Sequence, residues 1–148
     1  MDLSGLKWPL IIAAVVGLGW LFTEGGVNWM YTKATANTPG QDAEQDKFDE
    51  ATLSRVGGYL QRMWRYEKAT KFFETACERY PSGENYWYNV YRLHTCYERR
   101  GDPQRALELL EYLMAEGASE IDSRVPVNDN LGLRANKLRE VFELGETQ

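Results

Sequence analysis

His94 is the chain's one histidine, so a Ser-His-Asp or Cys-His arrangement would have to take its general base from it. No nucleophile signature accompanies it, and it stands inside an apolar helical pattern, where a packed imidazole is the simpler reading. Cys77, His94 and Cys96 are the residue types that hold a metal. His94 and Cys96, however, are two positions apart on one helix and point to different faces, and no CxxC or CxxCH occurs. Gly57-Gly58 lies within a helical pattern, which is not the setting of a phosphate-cradling loop. Acidic residues are spread along the whole chain, so carboxylate pairs carry no signal. The sequence therefore points away from an enzyme, with no cofactor, no metal and no small-molecule substrate.

The elements that carry these residues come in a recurring order. From Phe48 the apolar residues Phe48, Ala51, Leu53, Val56, Leu60, Met63 and Trp64 recur at three- and four-residue steps, which is helix periodicity. After a break near Arg65-Tyr66, a second helix shows Ala69, Phe72, Phe73, Ala76 and Cys77 on one face and stops at Pro81-Ser82-Gly83. Trp87, Val90, Leu93 and Tyr97 mark a third helix, ended by Gly101. Asp102-Pro103 is a cap followed by proline at the first helical position, and Ala106, Leu109, Leu110 and Leu113 form the face of the fourth. Ala118 to Asn130 reads as irregular, with a weak cap in Asn128-Asp129-Asn130. Leu131, Ala135, Leu138, Val141 and Phe142 make a last amphipathic helix. Ala69 and Ala106 stand 37 residues apart, within the range of helix-pair repeats.

The residues resemble the tetratricopeptide repeat family over roughly positions 50 to 118. In the first copy the matching residues are Leu53, Val56, Gly57 and Leu60, then Tyr66, Ala69, Phe73, Ala76 and Pro81. In the second they are Val90, Leu93, Tyr97, Gly101-Asp102, Ala106, Leu110 and Leu113. His94 takes the place of a small residue, Leu113 that of Ala, and Ala118 that of the closing Pro. The three residues beyond the family's period fall in the turn around Pro81 to Tyr86. The resemblance implies two stacked helix pairs closed by a capping helix, and a concave binding surface from the first helix of each pair. Carried over residue by residue, that surface is Arg55, Gln61 and Arg62 in the first copy and Tyr88, Tyr91, Arg92, Thr95 and Arg99 in the second. Tyr and Arg are common interface anchors. The Lys and Asn set with which some members clamp a terminal carboxylate is absent, with Ser54, Gly58, Tyr91 and Thr95 at its main places. The resemblance also sets Cys77 and Cys96 on helices that pack together, as two reduced core thiols or, outside the cytoplasm, a disulfide.

The first thirty residues differ in kind. Trp8 to Phe22 is an uncharged apolar run of 15 residues, ~22 Å long as a helix. Lys7 can snorkel at one end, and Trp8, Trp20, Trp29 and Tyr31 suit the membrane interface. Pro9 is expected in the first turn, where no donor is needed. A cleaved signal peptide fits less well, because Ala34-Thr35-Ala36 comes about a dozen residues too late for its cleavage site. A buried core helix would waste three tryptophans. Ala13 and Gly17 form a small-xxx-small pair that would let another span approach.

The expected organisation is all-α: a transmembrane anchor over 1–31 with its apolar core at 8–22, and a linker and helix start over 32–48. Two helix hairpins over 49–117 and a connecting loop with a capping helix over 118–148 complete it. The net charge of −5 opposes binding to a nucleic acid backbone. The expected partners are the lipid bilayer and other protein subunits of a membrane complex. Within that class the chain reads as a scaffold or assembly subunit, an accessory subunit of a respiratory or photosynthetic complex, or a transient peptide adaptor. Lys7 ahead of the run favours an N-terminus inside, which would make the body periplasmic in a bacterial inner membrane.

Overall fold

The computed structural model describes residues 4–142, and among them are eight α-helices and no strand. The described residues fall into two compact units that meet in sequence at Ala36 and Asn37.

The first unit is a broken helix. α1 (Ser4–Leu21) and α2 (Glu24–Ala34) are separated by Phe22 and Thr23 and bent by 76°. The expectation of one continuous anchor is therefore corrected: among the described residues no single helix is long and apolar enough to cross a membrane, and only the bent pair passes such a test by length and composition. Thr23 causes the break. Its backbone is extended, and its side chain caps α2 by accepting from the Gly26 N–H at 3.3 Å while donating to the Trp20 carbonyl at 2.6 Å. Pro9 also differs from expectation. Since α1 begins at Ser4, Pro9 lies inside the helix and offers the Gly5 carbonyl no donor.

The second unit is an array of helices joined by short connections, so that neighbours run back and forth. α3 (Ala43–Arg62), α4 (Tyr66–Arg79), α5 (Tyr86–Arg100), α6 (Pro103–Ala115) and α8 (Asn128–Phe142) each pack on the next in that order. α7 (Ala118–Ile121) is a single turn against α6, in a stretch the sequence reads as irregular. α3 starts after Asp42, whose carboxylate caps it by accepting from the N–H groups of Glu44 and Gln45.

Burial follows the helical periodicity. Leu53 and Leu60 from α3 and Ala69, Phe72, Phe73 and Ala76 from α4 are buried. So are Val90, Leu93, Cys96 and Tyr97 from α5, Leu107, Leu110 and Leu113 from α6, and Leu131, Ala135 and Leu138 from α8. Gly57 lets α3 and α4 approach, since a Cβ there would lie 3.0 Å from the Phe73 ring and 3.2 Å from Phe72.

Two helix ends share one backbone device. At the end of α5, Gly101 is left-handed, its N–H donates to Glu98, and the Asp102 N–H reaches back to Tyr97 at 2.9 Å. At the end of α3 the same two bonds run from Trp64 to Gln61 and from Arg65 to Leu60, with Trp64 at φ 58° in the glycine's place. α6 ends as expected ahead of a left-handed Gly117, and its start is capped by the Asp102 carboxylate with Pro103 at the first position.

Candidate functional site

The site begins with two helices that are not consecutive in the chain. Contacts between α3 and α5, and between α3 and the turn leading into α5, rise together along both segments. Glu50 meets Asn85, Ser54 meets Asn89, and Gly58 meets Arg92, so the two helices lie side by side and parallel. The Ser54 hydroxyl donates to Asn89 Oδ1 at 2.7 Å, a buried polar contact within this seam.

Arg92 is the centre of the seam. A Cβ on Gly58 would fall 2.0 Å from Arg92 Nη2, so the guanidinium lies directly on the backbone of α3 and only glycine leaves it room. Its Nε donates to Gln61 Oε1 at 2.9 Å, and Gln61 Nε2 returns a long bond of 3.5 Å to the Arg92 carbonyl. The guanidinium carbon sits 4.9 Å from the Phe73 ring centre and 5.2 Å from that of Tyr88. Stacking on ring faces is favourable for a guanidinium, which is more weakly hydrated than an ammonium. Burial lowers the Arg92 pKa from its ordinary value, and the neighbouring Arg62 charge adds to that.

Tyr88 also meets Arg124, whose guanidinium carbon lies 4.9 Å from the ring centre. Arg124 comes from the loop before α8 and is held by the Asp122 carboxylate at 2.8 Å, Asn85 Oδ1 at 2.7 Å and the Glu84 carbonyl at 3.0 Å. Asn85 in turn donates its N–H and its Nδ2 to the two oxygens of the buried Glu50, each at 2.8 Å. The long turn at 80–85, where the sequence placed its extra residues, is thus clasped by a carboxylate from α3 and a guanidinium from the last loop. Four hydrogen bonds to charged groups, two from each, make this clasp stronger than neutral turn bonds would.

Further along α5, Tyr88 and Tyr91 stack at 6.4 Å, and Tyr91 lies 4.8 Å from His94. His94 is fully buried. Its Nδ1 donates to the Tyr91 carbonyl, which leaves the Nε2 lone pair to accept from the Thr95 hydroxyl at 3.4 Å. Burial pushes the imidazole pKa down to about 4, helped by the charge of Arg134, so His94 is neutral at pH 7. A neutral imidazole with both nitrogens engaged inside the fold is a packing group.

The surface expected from the sequence is therefore brought together unevenly. Arg55, Arg62 and Arg99 are exposed, whereas Gln61, Tyr88, Tyr91, Arg92 and Thr95 are half-buried. Arg92 and Gln61 serve as a strut between α3 and α5 as well as lining that face. Glu50, Gly58, Phe73 and Arg124 complete the arrangement; Phe73 reads from sequence as a packing residue only, and Glu50 and Arg124 carry no sequence signal. Gly58 offered a signal, as a second glycine beside one that already served close packing.

Cys77 and Cys96 are both free thiols, and burial drives each pKa up to about 12, which leaves little thiolate at neutral pH. Beyond Tyr91, α5 and α8 border a groove of about 680 Å³ lined by Leu133, Leu138, Val141 and Phe142, with Arg99 and Lys137 among its cations. Leu133 and Val141 are well exposed, so the outer face of α8 is less polar than a solvating cap. In the first unit Lys7, Trp8, Ala13, Trp20 and Trp29 are exposed, Gly17 has open space around its Cα, and Tyr31 is half-buried. No protein-family model matches this chain, and no curated protein or solved structure matches it either.

Proposed function

We propose that the chain is a membrane-anchored, tetratricopeptide-type scaffold, an assembly subunit of a larger membrane or envelope complex that works by protein–protein contact. The observation that carries this reading is the parallel seam of α3 and α5. First helices of successive pairs stack this way in helix-pair repeats, and the stacking makes one continuous face from both. Here that face offers the exposed cations Arg55, Arg62 and Arg99 around a rigid Tyr88–Tyr91 stack. Rigid aromatics with arginine rims suit a protein partner because little side-chain freedom is lost on binding. The membrane part rests on α1, whose described side chains from Lys7 to Trp20 are all exposed and, Lys7 apart, apolar or small. With the N-terminus inside, the array lies on the periplasmic face of a bacterial inner membrane.

The test is extraction in mild detergent, followed by mass measurement of the eluted species and identification of its proteins. A stable stoichiometric complex supports the scaffold reading. Arg55→Glu with Arg62→Glu, both at exposed positions, should release the partner while helical content and unfolding midpoint stay unchanged. A complex that survives the double substitution would move the contact off this face. A chain that elutes alone and captures peptides only briefly would instead favour an adaptor.

A further inference from the structure

The bend between α1 and α2 separates two helices of different surface chemistry. From Trp8 to Trp20 α1 shows no polar face, the property of a helix surrounded by lipid rather than lying on it. α2 exposes Glu24, Asn28, Thr32 and Lys33 beside Trp29, a mixture that hydrocarbon excludes and the headgroup layer accepts. The bend itself is locked. A Cβ on Gly26 would lie 2.3 Å from the Trp20 carbonyl oxygen and 2.5 Å from Leu21 Cα, so any side chain there collides with the backbone of α1. Thr23 bridges both helices through its hydroxyl. The bend also folds two tryptophans together: the Trp20 and Trp29 rings lie 6.0 Å apart at 58°, each about half exposed. Along one straight helix nine residues would separate them by ~13 Å.

We propose that α2 is an in-plane interfacial helix rather than the second half of a span. With α1 inserted in the bilayer, the 76° bend carries α2 nearly into the headgroup plane, and Trp20 and Trp29 share one shallow depth. This inference rests on the membrane reading above. It makes the Trp20–Trp29 pair an anchor that fixes how deeply α1 enters, since indole rings favour the interface from either helix. α1 alone falls short of a full crossing by little, its 18 residues reaching ~27 Å against the ~30 Å hydrocarbon thickness, and on this proposal local thinning and the snorkelling of Lys7 absorb the difference.

Full-length variants retaining a single tryptophan at position 8, 20 or 29, with the other four as Phe, test it. Each is reconstituted into phosphatidylcholine vesicles carrying bromine at one defined acyl position, after its helical content has been matched to the parent by circular dichroism. The expected result is strongest quenching of Trp20 and Trp29 by the same shallow bromine. Gly26→Val, which cannot coexist with the bend, should then split the two depths. A Trp29 that escapes quenching, or reports a different depth from a quenched Trp20, overturns the in-plane helix and leaves the anchor standing. Equal depths in Gly26→Val overturn the role given to the bend. If Trp8 and Trp20 also escape quenching, the membrane reading fails and this inference fails with it.

Discussion

α1 and α4 are both helices rich in apolar side chains, yet they handle them in opposite ways. In α4 the apolar residues keep to one face and are buried, Phe72 and Phe73 to 1% and 0% exposure. In α1 they surround the helix, and Trp8, Ile12 and Val16 are 68%, 58% and 65% exposed. The contrast separates two meanings of an apolar run. A one-sided pattern supplies a core to its own chain, whereas an all-round pattern needs a medium or a partner from outside.

The most severe way to break this contrast is to remove a side chain from each helix. Phe73→Ala should cost about 3–5 kcal/mol, because the ring touches Gly57 and carries the Arg92 guanidinium, and its removal leaves a cavity. Ile12→Ala should leave the unfolding of the array unchanged. Denaturant titration of the full chain in detergent measures both. A loss of comparable size from Ile12→Ala would mean that α1 supplies core to its own chain.

His94 sharpens the comparison through pH. Its folded pKa of about 4 lies below the ordinary 6.5, so the unfolded chain binds the extra proton first. The stability linked to this group is complete above pH 6.5 and is withdrawn as pH falls through 4, by roughly 3 kcal/mol in all. α1 and α2 contain no histidine, so acid should loosen the array and leave α1 helical. Acid titrations followed by near-ultraviolet dichroism should show this slope in the parent and a shallower one in His94→Asn.

The smallest expected effect is at Trp64. It occupies the left-handed corner that Gly101 fills at the end of α5, and a bulky side chain there costs free energy that glycine does not. Trp64 is 79% exposed and has little packing to lose, so Trp64→Gly should stabilise the array by ~1 kcal/mol in the same titration. An unchanged or lower midpoint would show that the indole is held by contacts that offset its strain.

Helix ends were legible in sequence wherever a backbone requirement fixed the residue type. Gly101, Asp102-Pro103, Gly117 and the Pro81 stop all stand where their chemistry placed them. The break at Thr23 had a signal that was passed over: Thr23-Glu24 reads as a cap with an acid in the first turn, and Gly25-Gly26 follows it. The end of α3 offered no glycine and showed only as a gap in the apolar pattern. The seam was legible in part. Arg92 and Gln61 could be placed on one face, but a guanidinium lying flat on Gly58 depends on residues 34 positions apart. Asp49 and Glu50 gave no signal among the many scattered acids, yet both are buried and hydrogen-bonded, because their oxygens accept from donors on an upstream segment and a distant turn.

The contact of Arg92 with Gly58 also constrains how this protein can change over generations. A side chain at 58 is open only to a lineage that has already shortened or redirected the one at 92, because the two occupy the same space. Arg92 alone can be trimmed, but it then leaves a gap over Phe73. The two positions are bound into an ordered pair of steps, in which the guanidinium must leave its seat first. Homologous chains carrying alanine or serine at 58 should accordingly have a shorter residue at 92 or an arginine turned off α3, while chains with glycine at 58 are free to keep the guanidinium in this seat.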